Sequence, residues 1–136
     1  MSLRGILNAE IPAAAIRYKV VRKGPRGYMP LSKNKDWDGC DVGGGWAAPD
    51  CPVLANARQG GAKRQYECGV HCYVNYDDAR WAAIHVSDTV PDVTIVRVEA
   101  RGPIVTGWQL MCWRELAVDV WKEVRIVDEI VFYWER

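Results

Sequence analysis

The residues best equipped for chemistry form a run of sulfur and imidazole donors, Cys68-Gly69-Val70-His71-Cys72, with Cys40 and Cys51 upstream. Together they supply enough N and S ligands for a tetrahedral zinc. The spacing argues against it. On an extended strand Cys68, Val70 and Cys72 point to one face and His71 and Tyr73 to the other, so Cys68 and His71 do not converge on one ion. Structural zinc pairs come as C-x₂-C on tight turns, and this is C-x₃-C on a strand. The expectation is that Cys68 and Cys72 are buried, reduced and metal-free; Cys40, Cys51, Cys68 and Cys72 are the set a bound metal would require. His71 follows a glycine, leads toward a helix and leaves the strand opposite the cysteine face, which makes it a candidate site residue. Glu115 is a carboxylate at the head of an otherwise apolar strand, preceded by Trp113-Arg114. Its plain alternative is an exposed strand end with no role. His85 reads as a surface residue at a helix end.

Other reaction signatures are missing from the sequence. No Ser or Cys sits in a G-x-S-x-G elbow, and neither an H-E-x-x-H nor a Walker sequence occurs. Gly43-Gly44-Gly45 lacks the Lys-Ser/Thr pair and the strand-to-helix setting of a phosphate loop. The five cysteines cannot all pair within one chain, and the opening MSLRGILNAEIPAAAI lacks the apolar stretch of a secretion signal. A reducing, cytoplasmic setting with free thiols is expected. No apolar run approaches the ~18–20 residues that cross a bilayer, so no membrane partner is expected.

The net charge of +1 conceals an asymmetry. Residues 1–66 carry eleven Lys+Arg against five Asp+Glu, and residues 67–136 carry seven against twelve. Within 17–35 stand seven basic residues, Arg17, Lys19, Arg22, Lys23, Arg26, Lys33 and Lys35, and no acid. Such a stretch can hold phosphates or nucleic acid; its plain alternative is a solvated hairpin. With so small a net charge and an acidic second half, nucleic-acid binding is expected to be weak at best and salt-sensitive.

The elements that would position these groups follow from the local pattern. The 136 residues, 49% hydrophobic and 26% charged, suit one folded domain over 1–136, with 1–15 a loose arm. IRYKVVR at 16–22 reads as a strand, Gly24-Pro25-Arg26-Gly27 as a turn, and Tyr28 to Ser32 as a short extended piece. The Gly-, Pro- and Asp-rich segment 33–65 predicts a long irregular loop, a place for ligand contacts. YECGVHCYV at 66–74 predicts a strand. Asn75 then caps a helix from Tyr76 to about Val86, with Asp77 and Asp78 favoured by the dipole in its first turn. VTIVRVEA at 93–100 is a strand, with a second extended run from Pro103 to Trp108. From Arg114 to Trp121 the side chains alternate, with Arg114, Leu116, Val118 and Val120 on one face and Glu115, Ala117, Asp119 and Trp121 on the other. VRIVDEIVFYW at 124–134 fits a helical stripe, but its β-branched and aromatic content predicts a strand. The sum is an α+β fold of mainly antiparallel, strongly twisted sheets with one well-marked helix at about 75–86.

Two stretches read together resemble a known family. Residues 68–84, CGVHCYVNYDDARWAAI, are similar to the strand and small-residue helix of ADP-ribosyltransferases of the poly(ADP-ribose) polymerase type. Residues 114–132, RELAVDVWKEVRIVDEIVF, resemble the glutamate-led strand, turn and final strand of that fold, and VTIVRVEARGPIV its central strand. The chain also resembles small uncharacterised proteins of actinobacteria and their phages that carry a Cys-Gly-Ile-Tyr-Ala element and a Gly-Trp-Arg-x-Glu-x-Ala element. The counterparts here are Cys68 to Cys72 and Cys112-Trp113-Arg114-Glu115-Leu116-Ala117. The resemblance covers about half the chain. It implies NAD as a substrate, Glu115 as the catalytic carboxylate supporting the cation formed as nicotinamide leaves, and Arg22, His71 and Tyr73 as NAD contacts. Lys19 stands where the family's His-led first motif has histidine, so Arg22 serves only as its Arg-led variant.

Two functions are therefore expected in parallel. One is an ADP-ribosyltransferase-like protein, active or degenerate, that binds NAD or a related nucleotide and modifies a host protein acceptor. The other is a non-enzymatic accessory protein that binds nucleic acid or a host protein through 17–35. The side-chain directions of Arg22, His71 and Glu115 discriminate between them: the first function needs all three in one concave site.

Overall fold

The computed structural model describes residues 3–25, 27–31, 41–49, 54–59 and 62–130. Two very long strands organise them. β7 (Val93–Met111) and β8 (Arg114–Ile130) form one antiparallel hairpin over almost their whole length, from Ile95↔Ile130 to Met111↔Arg114. The separate runs read at 93–100 and 103–108 are thus one strand, as are 114–121 and the start of 124–134. Gly102, at φ +69°, and the register shift between Pro103 and Val105 bend β7 between its halves without ending it.

That bend lets the sheet close on itself. β2 (Ala14–Gly24) pairs with the first half of β7, from Ala14↔Arg101 to Arg22↔Val93. β6 (Val70–Tyr73) pairs with β8 in its first half, from Val70↔Trp121 to Tyr73↔Val118. β2 and β6 then meet at Tyr18↔Tyr73, so β2, β7, β8 and β6 form a ring. β3 (Gly27–Met29) extends β2, and β1 (Gly5–Leu7) extends β7 opposite Thr106 to Trp108. The fold is α+β and mainly antiparallel, as the pattern predicts.

Strand alternation supplies a buried layer on each side of this sheet. Val20, Tyr73, Ile95, Leu116, Val118 and Val120 lie in one, together with Ala79, Ala82 and Ala83 of α1 (Tyr76–Val86). Val21, Val70, Cys72, Val96, Val98, Trp121, Val124 and Ile126 lie in the other. The three alanines let α1 approach the sheet closely. Its N-terminus is capped as expected, with Asn75 accepting from the Asp78 amide at 2.8 Å.

Three expectations are corrected. The N-terminal arm is not loose: β1 pairs with β7, Leu3 is buried, and its amide donates to the Tyr66 hydroxyl at 2.9 Å. The loop read at 33–65 contains an ordered hairpin, β4 (Leu54–Gln59) with β5 (Ala62–Glu67), paired from Leu54↔Glu67 to Gln59↔Ala62. Its Ala- and Lys/Arg/Gln-rich strands carry no apolar alternation, so the pattern concealed them. The strand read at 66–74 is broken. Tyr66 and Glu67 belong to β5, and β6 starts only at Val70, after Gly69, where a Cβ would stand 2.5 Å from the Trp121 carbonyl oxygen. Of the predicted loop, 33–40, 50–53 and 60–61 lie outside the described residues, as does the chain end 131–136.

Candidate functional site

The expected catalytic carboxylate is not brought together with the expected NAD contacts. His71 is fully buried in β6, its Nε2 2.8 Å from the Tyr66 hydroxyl. Tyr73, two residues on, is buried and donates its hydroxyl to Gln109 Oε1 at 3.4 Å. Glu115 is exposed. His71 faces Val120 across the β6–β8 ladder, and Glu115 stands five positions from Val120, an odd number, so its side chain leaves the opposite face of the sheet. Arg22 lies across from Val93, the first residue of β7, whereas Glu115 lies across from Leu110, near its last. Arg22 and Glu115 thus occupy opposite ends of the longest strand, and the Arg22 Nε points to the Pro30 carbonyl at 3.4 Å.

The basic stretch is also engaged internally. Arg17 grips Asp119, with Nε 2.9 Å from Oδ2. Lys19 is buried, its ammonium 2.8 Å from the His71 carbonyl oxygen. Lys23 pairs with Glu129 at 3.2 Å. Arg26, Lys33 and Lys35 lie outside the described residues. Asp119 also accepts from the Trp121 indole at 2.6 Å. Burial pushes the Asp119 carboxyl above the ordinary aspartate range, against the pull of Trp121 and Arg17. This group ties β2 to β8 and is sealed from solvent, so it is structural.

Of the cysteines, Cys72 is buried and Cys68 half-buried. Cys68 precedes β6 rather than sharing its apolar face, which corrects the expectation of two buried partners. Cys40 and Cys51 lie outside the described residues. Among the described residues no three His, Cys, Asp or Glu side chains cluster as a metal site would need.

A different feature combines exposure with rigidity. The β7–β8 connection is a two-residue turn, Cys112-Trp113, and both residues are at positive φ, +48° and +68°. Two-residue hairpins take this conformation in type I′ turns, where Asn-Gly is the usual pair because other residues pay a steric cost of ~1–2 kcal/mol each. Here a cysteine and a tryptophan occupy it. The Trp113 side chain is 97% exposed, by far the most exposed large hydrophobic side chain described, beside a half-exposed Leu110.

The base of this tip is fixed from α1. The Trp81 indole donates to the Met111 carbonyl at 3.0 Å, and the Arg114 guanidinium lies 5.1 Å above the Trp81 ring. Asp78, only 6% exposed, accepts from Arg114 at 3.0 Å, from the Ala117 amide at 2.8 Å and from the Asn75 side chain at 3.1 Å. The helix N-terminus that the sequence marks with Asn75 and Asp78 therefore holds the hairpin tip. The sequence does carry a sign of it: two long β-type runs are joined at Cys112-Trp113 with no Gly, Asn, Asp or Pro to make the turn. No protein-family model, curated protein or solved structure matches the chain. No described helix is long and apolar enough to cross a membrane.

Proposed function

We propose that this protein is a non-catalytic binding module that engages another protein through the β7–β8 tip, with Trp113 seated in an apolar pocket of the partner. The observation that carries this reading is a fully hydrated tryptophan held on a strained turn whose base is pinned to a helix. Tryptophan is the residue type most often found as a binding anchor, since it buries a large area while losing little side-chain freedom. Backbone strain that persists at such an exposed site is a sign of function rather than of folding.

The chemistry around the tip favours a protein over a polyanion. Nucleic-acid affinity rests on cations free to meet phosphates. Arg114, the cation nearest Trp113, is bound to Asp78, and Asp77 and Glu115 stand exposed nearby. This reading keeps the protein partner expected of an accessory protein but moves the contact from 17–35 to 110–114. An NAD-cleaving reading needs Arg22, His71 and Glu115 at a single cleft, and their placement gives it no support.

The test places a photo-reactive benzoylphenylalanine at Leu110 and irradiates it in an extract of the source organism. A discrete adduct is expected that disappears with Trp113→Ala and is competed by unmodified protein. An adduct pattern unchanged by Trp113→Ala, or its replacement by cross-links to nucleic acid, overturns the reading.

A further inference from the structure

Past Trp121, where the pairing with β6 stops, β8 has its outer edge covered by the chain's own segment 41–49. Ala47 and Val124 exchange both backbone hydrogen bonds, at 2.7 and 2.9 Å, and the Gly43 amide donates to Ile126 at 3.1 Å. Between these points Trp46 is clasped by two cations: the Arg101 guanidinium lies 3.7 Å from its ring centroid and that of Arg125 5.0 Å. Both arginines are ion-paired across the β7–β8 ladder, Arg101 with Glu123 and Arg125 with Glu99. The segment does not fill the space over the edge. A cleft of about 280 Å³ remains between Gly43 and Gly44 on one side and Glu99, Arg125, Ile126 and Val127 on the other.

Uncovered, this stretch would present the Val124 N–H and C=O and the Ile126 C=O to solvent, and an open strand edge is a template for another strand. We propose that 41–49 is a removable strap over a self-pairing edge, and that the occupant when it lifts is β8 of a second copy of this chain. The residues at the edge suit an isologous contact. An antiparallel pairing with Val124 on the two-fold axis sets Glu123 of each copy across from Arg125 of the other, giving two reciprocal opposite-charge pairs. Val124 already exchanges both its backbone bonds with Ala47, and in the paired form it makes the same two bonds to its counterpart. Trp46 is the strap's anchor, since its ring is held between the Arg101 and Arg125 guanidinium groups of the sheet.

Sedimentation velocity over a range of concentrations tests this. Trp46→Ala is expected to self-associate at least tenfold more tightly than the wild type, with a dimer as the product. Trp46→Ala combined with Arg125→Glu is expected to return to the wild-type mass, because each Glu123 would then face a glutamate. A Trp46→Ala protein with wild-type mass at every concentration, or one whose dimer survives Arg125→Glu, overturns the proposal. Hydrogen exchange on the wild type requires no variant to fold. The Gly43 and Ala47 amides are expected to exchange faster than that of Val118 inside the ring, and exchange of all three at the single rate of global unfolding also overturns it.

Discussion

The Asp78 carboxylate lies 3.0 Å from the Arg114 guanidinium and 2.8 Å from the Ala117 amide, so one side chain at the start of α1 holds the first four residues of β8. Because Arg114 closes the turn that carries Trp113, the helix and the exposed tryptophan form one rigid unit. Asp78→Ala is expected to cost about 1–2 kcal/mol in urea unfolding, the penalty for leaving a half-buried backbone donor without its acceptor. Arg114 is too exposed to add much to that figure. Asp78→Asn should recover most of the loss, since the amide oxygen can still accept from Ala117. Equal losses in the two variants would show that charge, not hydrogen bonding, dominates.

Replacing Cys112-Trp113 by Asn-Gly should stabilise the protein. Both positions are at positive φ, and Asn-Gly is the pair best suited to that backbone, so a gain of about 1–2 kcal/mol is expected in the unfolding free energy. The same variant should lose the Leu110 cross-link. A gain in stability with loss of binding marks the turn as selected for contact. A loss of stability would mean that Trp113 supports the fold.

Two carboxylates should respond to acid in opposite senses. Burial works to raise Glu129, but hydrogen bonds from Thr94, Lys23 and Tyr28 together outweigh it and hold the group below the ordinary glutamate range. Its contribution is therefore present at neutral pH and lost as pH falls through that lowered value. The stability gap between wild type and Glu129→Gln should be widest near pH 7 and close in acid. Asp119 is raised, so the folded state holds its proton more tightly than the unfolded chain. Its contribution declines as pH rises from the ordinary aspartate range to the raised value and is constant above it. Acid unfolding monitored by circular dichroism should accordingly be promoted by protonation of Glu129 and opposed by protonation of Asp119, so that Glu129→Gln flattens the acid loss of stability and Asp119→Asn steepens it.

Incubation with NAD should release no nicotinamide and produce no thermal shift, and Glu115→Gln should leave stability within about 0.5 kcal/mol of wild type, as expected for an exposed strand residue. Nicotinamide release abolished by Glu115→Gln would restore the transferase reading despite the separation of Arg22 from Glu115.

The helix was legible because its signals are local. Asn75, the two aspartates and the run of small residues occupy consecutive positions, and α1 spans Tyr76–Val86 as the sequence predicts. The opposite directions of Cys72 and His71 were legible for the same reason, since strand alternation needs no partner. The β4–β5 hairpin was hidden because its strands are polar and alanine-rich, although Gly60-Gly61 stands between them in the sequence as a hairpin pair. The relation of Glu115 to His71 was illegible for another reason: it depends on which residue of β8 faces β6, and a shift of one position would have put both side chains on the same face. Trp113 was passed over because exposure is a property of the assembled hairpin, whereas hydrophobicity alone points inward.

β2 lies against β7 although roughly 80 residues of chain separate Ile16 from its partner Glu99. At synthesis rates of about 5–20 residues per second, the apolar residues Val20 and Val21 leave the ribosome about 4–16 s before the strand they bury against exists. The ring cannot close until β8 is made, since β8 contacts both β7 and β6. During that interval β2 lacks the strand that covers most of its length, and the protein's exposure to chaperones and to misassembly is set by the topology of the ring rather than by its final stability.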